Sequence, residues 1–99
     1  MINFDQLMIA LLVAGLSLDF TTKDGRVFQI AGDPRFTGFY QRFFHADGHP
    51  TRQSIGKDEC KLAFADAASF NLYTSPNKGE LVSEEKLQTM VETWFGAKS

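Results

Sequence analysis

The sequence predicts an α+β fold: a helix near each end, an antiparallel β-meander of about four to five strands between them, and the C-terminal helix packed on the sheet. Three observations predict it. Both ends carry helix-start residues followed by apolar positions at helical spacing. The central stretch alternates apolar and polar residues at period two, and Asp-Gly turns at Asp24-Gly25 and Asp47-Gly48 punctuate it. At 99 residues the chain has room for one domain, residues 1–99, and not for two independent cores.

The first helix is expected over residues 3–15. Asn3 is a cap residue and Gln6 stands three places on, a capping-box spacing, while Ile2 and Leu7 occupy the flanking staple positions and Gly15 supplies the stop. From Leu7 to Ala14 this helix is apolar all round, so burying it demands contacts on more than one side. A homodimer formed through this helix is one way to supply them. The same run, Leu7 to Leu16, is about half the roughly 20 residues a membrane span requires, and no Lys or Arg precedes Lys23 as a signal peptide would need. A buried helix is the expected reading, with no membrane partner.

Strands follow. Leu16, Leu18 and Phe20 alternate with Ser17, Asp19 and Thr21, and Arg26 to Ile30 resumes after the turn. A three-residue loop with Gly25 in the left-handed conformation sets Phe20 opposite Phe28 and Leu18 opposite Ile30, whereas a two-residue loop sets Phe20 opposite Gln29; core burial favours the former. Asp33-Pro34 is a turn between hairpins. The second hairpin runs from Phe39 to His45 and from His49 to Ile55, its register leaving Ile55 opposite either Phe39 or Tyr40.

From Lys57 to Tyr73 the pattern supports two readings. Cys60, Ala63, Phe64 and Ala67 form a helical face with Asp58 as cap, while Cys60, Leu62, Phe64, Phe70 and Leu72 also alternate. A helix to about residue 68 followed by a strand over 69–74 is the preferred expectation. Ser75-Pro76-Asn77-Lys78-Gly79 is a turn. The last helix spans 83–95: Ser83 caps, Glu84 and Glu85 sit in the positive first turn, Val82 and Leu87 staple, and Leu87, Met90, Val91 and Trp94 form one stripe before Gly96.

Composition bounds the function. Leu, Ile, Val and Phe exceed a quarter of the chain, which excludes intrinsic disorder. A net charge of -2 argues against a wholly basic nucleic-acid coat, and a lone cysteine fits a reducing, cytoplasmic compartment. Charge is unevenly spread, however: residues 25–57 carry Arg26, Arg35, Arg42, Arg52 and Lys57 against only Asp33 and Asp47. With a three-residue second loop, Tyr40, Arg42 and Phe44 share one sheet face with Arg52. These four and Arg35 are the candidate partner-binding residues, since Arg and aromatic side chains are the usual interface anchors. The competing account is that the arginines merely keep a sheet face solvated while the rings fill the core.

The other candidates are weaker. His45 and His49 would oppose each other across the hairpin with Asp47 between, but no further ligand completes a zinc spacing, so a solvated turn is expected and no metal or cofactor is assigned. Cys60 falls on an apolar face, where packing explains it. No nucleotide-binding loop, zinc-protease motif or nucleophile elbow occurs. The sequence therefore points to a non-catalytic interaction module that docks on a larger macromolecule as an inhibitor or adaptor, a protein partner being preferred. The alternatives are nucleic-acid binding through the Arg/aromatic face and a metal-dependent hydrolase at His45, Asp47 and His49.

Overall fold

A computed structural model describes residues 2–75 and 78–98. The elements are α1 (Phe4–Ala14), β1 (Ser17–Thr22), β2 (Val27–Ala31), β3 (Gly38–Phe44), β4 (Pro50–Ile55), α2 (Lys57–Phe64), β5 (Ala67–Ser75), β6 (Lys78–Val82) and α3 (Glu84–Lys98). The strands form one six-stranded antiparallel sheet in the order β4-β3-β2-β1-β5-β6. The α+β class and the end helices agree with the sequence reading, but the sheet has six strands rather than four to five. It is also not one continuous meander: β1 to β4 run outward in order, then α2 returns the chain so that β5 pairs with the other side of β1.

Local chemistry explains the element ends. The Gln6 N–H donates to Asn3 Oδ1 at 3.0 Å, and Gly15, at φ 68°, turns its N–H back to the carbonyls of Leu11 and Leu12, closing α1 within a residue of both expected limits. Both hairpins adopt the three-residue turn. Gly25 and Gly48 stand at φ 89° and 84°, and their N–H groups donate to Thr22 O at 3.0 Å and His45 O at 2.9 Å. Phe20 consequently faces Phe28, Leu18 faces Ile30, and Phe39 faces Ile55.

Three boundaries differ from expectation. α2 starts from Gly56 rather than from an Asp58 cap, and it ends at Phe64 instead of near 68, because Ala67 pairs with Thr22 and Asp66 O accepts the Lys23 N–H at 3.0 Å. Strand pairing captures residues whose own spacing suits a helix. α3 continues through Gly96, which keeps a negative φ and does not act as a stop. The sixth strand, β6, lies where the sequence shows a turn and then a cap; only Val82 of its five residues is buried, so it lacks an apolar signal. Pro76 and Asn77 of the expected 75–79 turn lie outside the described residues.

All three helices pack on one face of the sheet. Leu18, Phe20, Phe28, Ile30, Phe70 and Leu72 point into the core against Leu7 and Leu11 of α1, Cys60 and Ala63 of α2, and Leu87 and Val91 of α3. The Phe64 ring meets Phe20 edge-on at 5.1 Å and Phe4 at 5.5 Å, the edge-to-face geometry aromatic quadrupoles favour. Asp5 ties α1 to α2 by reaching Lys57 and Lys61, each at 3.2 Å. The all-round apolar helix is buried on two sides, by the sheet and by α3, while Leu12 and Val13 stay exposed. No described helix is long and apolar enough to cross a membrane.

At Gly32 the backbone is hemmed in by backbone on two sides. Its N–H donates to Leu16 O at 2.9 Å, and a Cβ there would lie 2.4 Å from the carbonyl oxygens of both Leu11 and Leu16. Substitution Gly32→Ala is therefore expected to lower the unfolding free energy by roughly 1–3 kcal/mol, the range of overpacked sites. Urea denaturation checks this; a change within about 0.5 kcal/mol, typical of neutral surface substitutions, would contradict it.

Candidate partner-binding face

Among the described residues no helix covers the second face of the sheet, yet three of its polar residues are buried: Ser17 at 5%, Asp19 at 6% and Gln29 at 8% exposure. Strands place them centrally, Asp19 on β1 facing Gln29 on β2. The cover comes from long side chains of the outer strands, which lean diagonally inward. Arg42 of β3 reaches Asp19, Nη1 to Oδ2 at 2.5 Å, with the Tyr73 hydroxyl 3.5 Å from the same nitrogen. Arg52 of β4 donates from Nη1 to Gln29 Oε1 at 3.2 Å. Its guanidinium lies 4.4 Å from the centroid of the Tyr40 ring and 5.0 Å from that of Phe36.

The register explains the arrangement. Arg42 and Arg52 are directly opposed across β3 and β4, and Tyr40 is flanked by Ser54 on β4 and Gln29 on β2. Phe44 lies further along β3, 62% exposed, its ring 5.3 Å from the Arg42 guanidinium. Arg35 comes from the β2–β3 connection, where Asp33 accepts from its Nη2 at 2.7 Å and its Nε at 3.1 Å. That pairing holds the Asp33 carboxyl down at about 2. Arg35, Arg42 and Arg52 line a common open cavity of about 720 Å³ whose walls also include Phe36 and Tyr73. The fold thus places all five candidate residues on one side of the sheet, three lining the cavity, Tyr40 beneath Arg52 and Phe44 beside Arg42.

Electrostatics at Asp19 are a contest. Burial pushes its carboxyl above the usual aspartate value, and the hydrogen bond and charge of Arg42 pull it down without fully offsetting burial. Asp19, Gln29, Phe36 and Tyr73 had no place among the sequence candidates. Asp19 and Gln29 alternate with core residues and read as solvated; their burial depends on arginines 23 residues further along the chain, which spacing does not reveal.

The remaining candidates lie apart from this site. His45 Nε2 is 2.9 Å from Thr51 Oγ1, and Asp47 Oδ1 accepts the His49 N–H at 2.9 Å, so the acid serves the turn. Among the described residues no cluster of three His, Cys, Asp or Glu side chains is placed to hold a metal. Cys60 is buried and its thiol is pushed up to about 12, which leaves almost no thiolate at neutral pH. No protein-family model, curated protein or solved structure matches the chain.

Removing Arg42 leaves Asp19 buried without a counter-ion, so Arg42→Gln is expected to cost on the order of 3 kcal/mol at pH 7. The deficit should shrink with acidification. A carboxyl whose folded-state pKa lies above its unfolded value takes up a proton in the folded state first, so protonation relieves the unpaired charge as pH falls toward 4. Thermal and urea unfolding between pH 7 and 4 check this; a deficit independent of pH would contradict it.

Proposed function

We propose that the protein is a non-catalytic binding module that docks on an acidic surface of a larger protein through the uncovered face of β3 and β4, and acts on that partner as an inhibitor or adaptor. The observation that carries this reading is the cavity lined by Arg35, Arg42 and Arg52 with aromatic rings against each guanidinium. Arginine combined with exposed rings is the composition of interface anchors. Here the rings also fix the guanidiniums in place before a partner arrives, which reduces the entropy lost on binding. The charged groups of the face are engaged with one another and with ring faces, an arrangement suited to contact rather than to group transfer. One cysteine, buried and reduced, supports a reducing compartment such as the cytoplasm.

Protein is favoured over nucleic acid by charge. Asp19 and Asp33 pair with Arg42 and Arg35, and α2 begins with Asp58 and Glu59. This leaves few uncompensated cations for the many phosphate contacts that dominate nucleic-acid affinity.

Capture from the native host with and without nuclease, followed by affinity measurement on the purified partner, tests the reading. Arg52→Ala and Phe44→Ala should each weaken binding by about tenfold or more, the effect of losing roughly 1.4 kcal/mol at an anchor, with unfolding temperatures close to the parent. Equal affinity in both variants would contradict the assignment of this face, and a complex that disappears on nuclease treatment would favour nucleic acid.

A further inference from the structure

We infer that the cavity is a seat for one carboxylate, centred on Arg52, and that the group filling it is an Asp or Glu side chain of the docked protein. The inference rests on the docking reading above. Arg35 is paired with Asp33 and Arg42 with Asp19, but Arg52 hydrogen-bonds only to the neutral amide of Gln29, and among the described residues no carboxylate pairs with it. One positive charge is left over, which matches a carboxylate better than a phosphate carrying about -1.5 to -2 at pH 7.

Three further features converge on the same atom group. Arg42 and Arg52 are direct cross-strand neighbours, and the Asp19 carboxylate that compensates Arg42 leaves the charge of Arg52 beside it unmatched. The Arg52 guanidinium lies over the Tyr40 and Phe36 rings, and of its five N–H donors it gives one to Gln29. A planar fork held in this way suits two parallel bonds to carboxylate oxygens. Finally, about 720 Å³ of open space accommodates the side chain and backbone that bring the carboxylate, not only an ion.

The test uses the intact protein and three probes: N-acetyl-glutamate N-methylamide, its glutamine counterpart, and inorganic phosphate. Binding is followed through the backbone N–H signal of Phe36, which lines the cavity and is present in every variant, in a proton–nitrogen correlation spectrum. The glutamate amide is expected to shift that signal saturably, with the glutamine amide and phosphate each about tenfold weaker or worse. Arg52→Gln and Arg52→Lys should both abolish the response to the glutamate amide, Lys because it keeps the charge and loses the fork, and backbone signals show whether each variant is folded. Arg26→Gln, at a guanidinium paired with Asp24 outside the cavity, should change nothing. Equal binding of the glutamate and glutamine amides, tighter binding of phosphate, or undiminished binding in folded Arg52→Gln would overturn the seat.

The partner arm separates this inference from the docking reading. A captured protein whose affinity falls in Phe44→Ala but not in Arg52→Gln leaves docking intact and overturns the seat. A glutamate amide that binds at Arg52 yet fails to compete with the captured protein overturns the assignment to a partner side chain. Competition together with tenfold loss in Arg52→Gln supports both.

Discussion

Asp19 lies on a central strand of the sheet, on the side no helix covers, and its charge is held by one ion pair, Nη1 of Arg42 to Oδ2 at 2.5 Å. Much of the face follows from that contact. A carboxylate this deeply covered is costly unless a cation accompanies it, so Arg42 must lie inward across β2 rather than extend into solvent. With Arg42 drawn toward Asp19, its cross-strand neighbour Arg52 settles one row over, on Gln29 and the Tyr40 ring. Charge is compensated at the first arginine and left open at the second. The asymmetry, and not the number of arginines, is what the proposed docking role relies on.

The sheet thereby divides its labour by side. One side is a phenylalanine-rich core against three helices, and the other is a polar floor roofed by guanidiniums and rings. What separates the two is strand parity, because a one-residue slip exchanges every side chain between faces. Two small backbone features protect parity: the left-handed glycines Gly25 and Gly48 that close the three-residue turns. A slip in the second hairpin would send Arg52 toward the helices while Tyr40 and Arg42 stayed behind. The turns are therefore as much part of the proposed binding face as the side chains it displays.

The legibility of this design in the sequence follows physical range. Caps, turns and alternation are local, and they located α1, the start of α3 and the register of the first hairpin; the second hairpin's register stayed open between two loop lengths, and only the three-residue loop, which the structure adopts, puts Arg52 on the side of Tyr40, Arg42 and Phe44. Elements that depend on distant partners were not legible. α2 ends early because β1 claims Ala67 as a pairing partner, and β6 exists because β5 offers it an edge, although Lys78 to Leu81 are exposed and carry no core pattern. At the site, Arg42 and Arg52 were visible as charges out of balance with their surroundings. Asp19 and Gln29 were not, since nothing in an alternating strand distinguishes a polar residue facing water from one roofed by a guanidinium two strands away.

The dependence of the face on the Asp19–Arg42 contact is most directly measured by a double-mutant cycle in unfolding free energy, using Asp19→Asn, Arg42→Gln and the double variant at pH 7. The account predicts a coupling of roughly 1–3 kcal/mol, the double variant being markedly less damaged than the sum of its parts, as for residues in one buried network. Costs that add to within about 0.5 kcal/mol, the behaviour of independent sites, would contradict it.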